Sequence, residues 1–290
     1  MKSWISVWMS ILLGIQLLAA QTNGDIYEQL SKAKEEGLSV RLELVSGSGY
    51  RGSIESLNTE EVTLNTADGV FTFSISKINE VIIIYPNRRS SGWYKNPADY
   101  RLFITQSGKM AEPKGIYYQN TYIFFSNFTI GIADNFSANL GFSTVPGIGI
   151  DNQLFNIGGK LQVFETNHIA LSANGTYYTF PDESEGVGTL FGTATFTQDV
   201  FSATLGTGFA FGTEGSSDPL FIVGGQLRTS ERFGLLTETL FIPDGAGEVY
   251  PLFFLGGRFI GRKTVFDLGF LTSNEFDALI PFLTASIKLN

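Results

Sequence analysis

Cysteine is absent and histidine occurs once, as His168. Neither a disulfide framework nor a thiolate metal site is therefore open to this chain. With one imidazole, a cation would have to be held by oxygen ligands. Charge is also scarce: Asp, Glu, Lys and Arg make up 16% of the 290 residues, and net charge is −9. An acidic, charge-poor chain lacks the basic footprint of a nucleic-acid binder, so no nucleic acid is expected as partner. After residue 20 no stretch approaches the roughly 18 to 20 consecutive apolar residues of a membrane helix. What the chain has in abundance is 33 Gly, 26 Phe and 11 Tyr.

Those residues fall into a period-two pattern. In residues 153–178, Phe155, Ile157, Gly159, Leu161 and Val163 share one face, and Leu154, Asn156, Gly158, Lys160 and Gln162 the other. A short polar turn at 165–167 leads to a second alternating run, Ile169, Leu171 and Ala173 against Ser172, Asn174 and Thr176. Successive side chains of a strand point to opposite faces. Alternation sustained over about ten residues suits a membrane-spanning hairpin better than a sandwich strand of about five or six. The pattern repeats: FNIGGKLQ at 155–162 returns as FIVGGQLR at 221–228 and FFLGGRFI at 253–260. Lys160, Gln226 and Arg258 fall at the same offset after each Gly-Gly pair, and a repeated hairpin suggests a closed sheet.

Taken in order, residues 1–20 have the layout of a secretory signal: Lys2, an apolar run from Ile5 to Leu18, and Leu18-Ala19-Ala20 before Gln21. Residues 21–85 read as a small unit, a helix through about Glu36 ended by Gly37 and followed by five short strands. Residues 86–99, rich in Pro, Ser and Gly, read as a linker. Its Arg88, Arg89 and Lys95 beside Trp93 and Tyr94 suit either a membrane interface or plain solvent.

From residue 100 to 290 about twelve strands are predicted, near 100–106, 117–131, 135–144, 153–164, 168–178, 188–197, 200–212, 219–229, 232–242, 250–260, 264–271 and 281–289. Short connections alternate with longer ones, as periplasmic turns and outer loops do in outer-membrane barrels. An even strand count returns both ends of the barrel to the periplasmic side, where the small unit must lie.

Two resemblances add to this reading. SGSGYRGSIESLNTEEVTLNT and INEVIIIY in the small unit resemble the Sm-like small barrel. That family often binds RNA through an Asp-x-x-Asn element and an Arg-Gly element. Here those positions read Asn58-Thr59-Glu60-Glu61 and Ile78-Asn79-Glu80, which removes the RNA-binding chemistry. The resemblance implies a periplasmic interaction or spacer domain with a protein partner. The block GIYYQNTYIFFSNFTIGIADNFSANLGF at 115–142 resembles outer-membrane barrels of the Bacteroidetes type. The last strand, PFLTASIKLN, is similar to the C-terminal strand of such barrels, many of which end on an aromatic residue where this chain has Asn290.

The fold class expected is thus all-β: an antiparallel transmembrane β-barrel of about twelve strands, preceded by a small helix-plus-five-strand Sm-like domain. Lys160, Gln226, Glu238, Arg258, Asp267 and Lys288 are expected to face the lumen. Pairing Phe259 with Phe266 on the lipid face sets Arg258 opposite Asp267, with Glu238 as an alternative partner for Arg258. An Arg on the lipid face at midplane would cost about 2 to 4 kcal/mol, which favours the inward assignment.

His168 sits beside a short turn with Ser172 four residues on, and no third member of a catalytic set is evident. Asp182, Glu183 and Glu185 crowd one outer loop, which reads as a solvated acidic loop before a cation site. The Gly-Gly pairs lie inside strands with no following helix, so they read as relief of crowding in a curved sheet, not as phosphate cradles. No cofactor, metal or catalytic residue is expected, and membrane lipid is the expected environment. The function expected is an outer-membrane barrel acting as a narrow pore or as a structural and interaction protein. The rivals are an outer-membrane enzyme and a soluble exported β-sandwich binding protein.

Overall fold

The chain divides between Tyr94 and Lys95 into two units. The computed structural model describes residues 24–290 except 87, 89, 182–185, 213–214, 244–248 and 275. The signal expected at 1–20 and the acidic cluster at 182–185 lie outside the described residues. No described helix is long and apolar enough to cross a membrane.

In the first unit, helix α1 covers residues 24–35. Its Ile26, Leu30 and Ala33 recur at helical spacing and are buried. The helix ends where the Leu38 amide reaches back to the Ala33 carbonyl at 2.8 Å. Strands β1 (Ser39–Leu44), β2 (Gly49–Leu57), β3 (Glu61–Thr66), β4 (Gly69–Ser74) and β5 (Ile78–Ile84) form one sheet in the order β4-β3-β2-β1-β5. Val40, Leu42, Val62 and Leu64 alternate inward and join the apolar face of α1 in one core. The segment expected to be linker does not all behave as one. Arg41 in β1 donates to the Gly92 carbonyl at 3.2 Å and lies over the Tyr94 ring at 5.4 Å. Both contacts hold residues 92–94 to the first unit.

The second unit is one closed antiparallel sheet of twelve strands. These are β6 (Ile116–Thr121), β7 (Phe125–Ala133), β8 (Phe136–Ser143), β9 (Phe155–Glu165), β10 (Ile169–Thr179) and β11 (Gly186–Gln198). They continue as β12 (Phe201–Gly212), β13 (Gly215–Arg228), β14 (Phe233–Pro243), β15 (Val249–Ile260), β16 (Thr264–Ser273) and β17 (Phe276–Lys288). Strand β17 pairs with β6 to close the ring, with Thr284 opposite Thr121 and Lys288 opposite Tyr117. The Asn290 side chain finishes this seam, accepting from the Ile116 amide at 2.8 Å and donating to the Lys114 carbonyl at 2.6 Å. A two-sheet sandwich is excluded by the closure.

The count of twelve is reached differently from the expectation. Residues 100–106 are not a barrel strand, and the run expected as one strand over 117–131 is two. Their turn carries no Gly, Pro or Asn. It is made by Tyr122 and Ile123 at φ +53° and +70°, a conformation that apolar residues seldom adopt. One end of the barrel carries the short connections 134–135, 166–168, 199–200, 229–232 and 261–263. The longest connection, 144–154, is at the other end, but loops expected at 213–218 and 272–280 are mostly strand.

The two faces of the wall differ sharply. On β16 the outward Phe266, Leu268 and Phe270 are 50%, 51% and 53% exposed, while Asp267 between them is 0% exposed. The same alternation runs through Leu205 and Thr204 on β12 and Leu255 and Phe254 on β15.

Candidate functional site in the barrel interior

The barrel is filled from within by the chain that leads into it. Residues 95–115 enter at the end carrying the short connections, reach a tip at Leu102–Thr105, and return to start β6. The tip is a tight turn, with the Leu102 amide on the Thr105 carbonyl at 2.9 Å and Arg101 bridged to Gln106. Leu102 and Phe103 insert among Ile222, Leu236, Phe254 and Phe282, which face inward from β13, β14, β15 and β17. Phe103 stacks against Phe254 and meets Phe282 edge-on, with centroids 5.9 and 5.6 Å apart. Gly224 leaves the room this needs: a Cβ there would lie 2.4 Å from Leu102 Cδ1. The first glycine of that Gly-Gly pair thus serves packing of the inner segment, beyond relief of curvature.

The six residues expected on the inner face all engage this segment. The Glu238 carboxylate accepts the amides of Phe103 at 2.7 Å, Ile104 at 3.0 Å and Thr105 at 3.0 Å, so one side chain caps the whole tip. Arg258 makes a two-pronged contact with Asp267, Nε to Oδ1 at 2.7 Å and Nη2 to Oδ2 at 3.0 Å. The register is the one expected, Arg258 opposite Asp267 and Phe259 opposite Phe266. Glu238, the alternative partner, is committed to the tip instead.

Arg258 also donates to the carbonyls of Ala98, Arg101 and Leu102 at 3.1, 3.2 and 2.8 Å, and to Gln226 Oε1 at 3.2 Å. Asp267 accepts a second guanidinium, that of Arg101 at 2.8 Å, and the Thr284 hydroxyl at 3.1 Å. Arg101 in turn reaches Ser286 Oγ at 2.6 Å. Gln226 Oε1 also accepts from Asn96 at 3.2 Å.

Lys160 donates to the carbonyls of Tyr100, at 3.2 Å, and Lys109. Lys288 pairs with Glu112, which also pairs with Lys95 at 3.1 Å. Glu112 is held below its ordinary value: burial pushes it up, but the hydrogen bond from Lys288 and the charge of Lys95 outweigh that. Asp99 is held low in the same way, burial being outweighed by Lys109 at 3.2 Å and by the charges of Arg258 and Lys95.

These partners within 95–115 have no sequence motif. RLFIT at 101–105 has the look of a short strand, and that pattern hides the turn. One signal was present: the polar stretch SGKMAEPKG at 107–115 offers such a strand no alternating neighbour.

Two spaces remain. At the short-connection end a basin of about 420 Å³ is lined by Lys95, Asp99, Lys109, Glu112, Asp134, Glu165 and His168 among others. Past the tip, a cavity of about 290 Å³ lies against β7 to β11, lined by Asn127, Asn139, Asn156, Asn174 and Tyr178 together with Phe125, Phe142 and Arg101. His168 is exposed, with Nδ1 3.0 Å from the Thr197 carbonyl and the ring stacked on Phe196. The Ser172 hydroxyl is buried on Thr193 Oγ1 at 2.9 Å, so the two make no dyad. Among the described residues no group of three or more His, Asp or Glu could hold a metal ion.

The geometry defines a closed twelve-stranded β-barrel with an occupied interior. No protein-family profile and no curated protein matches the chain. Among solved structures, the chain is similar to the KdgM porin in complex with disordered oligogalacturonate, at 6% identity over 61% of this chain and 99% of that one, TM-score 0.48. It is also similar to the Acinetobacter baumannii outer membrane protein Omp33, at 9% identity over 60% and 97%, TM-score 0.41. A third likeness is to the outer-membrane expressed OmpT of Vibrio cholerae, at 13% identity over 87% and 95%, TM-score 0.35.

Proposed function

We propose that this chain is an outer-membrane β-barrel that works as a narrow pore, with residues 95–115 as its internal plug. The observation that carries the reading is the closed twelve-strand wall with large apolar side chains outside and its buried charged and polar side chains inside. In water the outward Phe, Leu, Ile and Val of β7 to β17 would form a continuous apolar band far beyond the few hundred Å² that a soluble monomer exposes. In a bilayer the same band is solvated by lipid, and closure leaves no strand edge unpaired in hydrocarbon.

The plug occupies the lumen by charge and packing at once. Two guanidinium groups share one carboxylate, a second carboxylate caps the tip, and two phenylalanines stack behind it. A small conductance follows from that occupancy. Short connections mark the periplasmic end of a bacterial barrel. The chain enters the lumen at that end, which supports a periplasmic location for the preceding unit. One helix followed by five short strands supports the Sm-like reading of that unit, as a site for a periplasmic protein partner. The barrels of the Bacteroidetes type remain the family to which the block at 115–142 points.

Planar-bilayer recording tests the pore. The purified native chain is expected to conduct in small steps, and a variant with residues 100–107 replaced by a Gly-Ser loop of equal length to conduct several times more. Equal conductance in the two, or none in either, would overturn the plugged-pore reading. No observation favours an enzyme.

A further inference from the structure

The 290 Å³ cavity past the plug tip is built differently from the rest of the lumen. Charge dominates around Arg258 and Asp267, whereas here four asparagines on adjacent strands turn their amides toward one space. Asn127 and Asn156 lie opposite Gly141 from its two neighbouring strands, and Asn139 lies opposite Gly158. A Cβ on Gly141 would sit 2.4 Å from Asn156 Nδ2 and 2.8 Å from Asn127 Nδ2, so the amides lean over a gap that only glycine leaves.

Their mutual bonds are few. Asn156 Oδ1 accepts from Asn127 Nδ2 at 3.2 Å and from Asn139 Nδ2 at 3.3 Å. Asn174, 7% exposed, has a buried Nδ2 with no hydrogen-bond partner among the described residues. An unpartnered buried amide donor is costly, and a solute atom that accepts from it would remove that cost. The groups left over are donors on Asn156 and Asn174 and acceptors on Asn127 and Asn139. A mixed set of this kind matches a hydroxyl, which both donates and accepts. Phe125, Phe142 and Tyr178 add apolar ring surface to the same lining. Among the described lining residues Arg101 is the one cation, and its guanidinium is turned onto Asp267 at 2.8 Å, a carboxylate it shares with Arg258. The cavity, about 290 Å³, has room for a solute of the size of a monosaccharide.

We propose that this cavity is a binding site for a neutral, hydroxyl-rich solute of monosaccharide size, its hydroxyls read by Asn127, Asn139, Asn156 and Asn174. The inference deepens the pore reading by naming a solute class, and it rests on that reading for its biological sense. Binding itself needs no conduction, so the two fail separately.

The test is equilibrium dialysis of the full chain in detergent against labelled glucose, with galacturonate and glucosamine as the anionic and cationic probes. Saturable glucose binding is expected, at least tenfold tighter than either charged probe. Asn174→Leu and Asn156→Leu should each weaken it tenfold or more, and Gly141→Ala should weaken it by crowding the amides. Heat-modifiable gel migration reports that each barrel is folded, and if one variant does not fold the other two carry the comparison. Absence of saturable glucose binding by the folded native barrel overturns the proposal. So does galacturonate or glucosamine binding as tight as glucose, or glucose binding unchanged in every folded variant.

Discussion

Asp267 is the residue on which most of the interior charge converges. Its carboxylate accepts Arg258 at 2.7 Å, Arg101 at 2.8 Å and Thr284 at 3.1 Å, and it is 0% exposed. Removing its charge leaves two buried guanidinium groups sharing an amide that can neither neutralise them nor accept all of their donors. Breaking a buried pair from one side costs about 3 to 5 kcal/mol. Asp267→Asn is therefore expected to lower the unfolding free energy of the barrel by that amount, read from urea titration followed by heat-modifiable gel migration. Arg101→Met removes one guanidinium but leaves the Arg258 pair, so it should cost less and release the tip, raising conductance.

A pH dependence belongs to this scale too. Glu112 and Asp99 have folded values below their ordinary ones. A carboxyl depressed by folding stabilises fully above its unfolded value, and that contribution is lost as pH falls through the folded value. With unfolded values of about 4.3 and 3.9, plug anchoring should be constant from neutral pH to about 5 and should weaken below about 4. Protease cleavage within 107–114 should rise over that window and not on the alkaline side, and Glu112→Gln should flatten much of the rise.

Among the elements, the β6–β7 hairpin carries visible strain. Ile123 is β-branched, has φ +70° and is 74% exposed, so nothing is gained by packing to offset its backbone. The left-handed region costs an L-residue roughly 1 to 2 kcal/mol. Ile123→Gly is expected to stabilise the barrel by about 1 kcal/mol, since the freedom Gly has when unfolded returns part of the gain. A denaturant midpoint moving the other way would show that Ile123 is held by lipid or by a partner. The same hairpin shows what an element needs before it can be read from sequence: TYIFF has no turn residue, so alternation on either side fuses into one apparent strand.

For the whole molecule, the division at Tyr94 and the separate core of α1 and β1 to β5 imply independent folding. A fragment of residues 24–94 should be soluble and give a cooperative unfolding transition, while a fragment ending at residue 85 should be less stable. The difference comes from Arg41, which loses the Gly92 carbonyl and the Tyr94 ring in the shorter fragment. Equal stability of the two would show that residues 86–94 only tether. A disordered 24–94 fragment would place the boundary elsewhere.

The barrel wall is legible in the residue pattern alone. Alternation is written residue by residue, and a slip of one position would turn every side chain over. For that reason the strand type, the closed sheet and the Arg258–Asp267 register could be read from local pattern. What Glu238, Arg258 and Asp267 hold follows instead from contacts between distant parts of the chain. Residues 95–115 have no periodicity of their own, and their conformation is set by partners far along the chain: Glu238 lies 135 residues from Phe103, and Ser286 lies 185 from Arg101. A turn capped by a carboxylate from the opposite wall exists only once that wall has closed around it, so no local signal in RLFIT could have distinguished it from a strand.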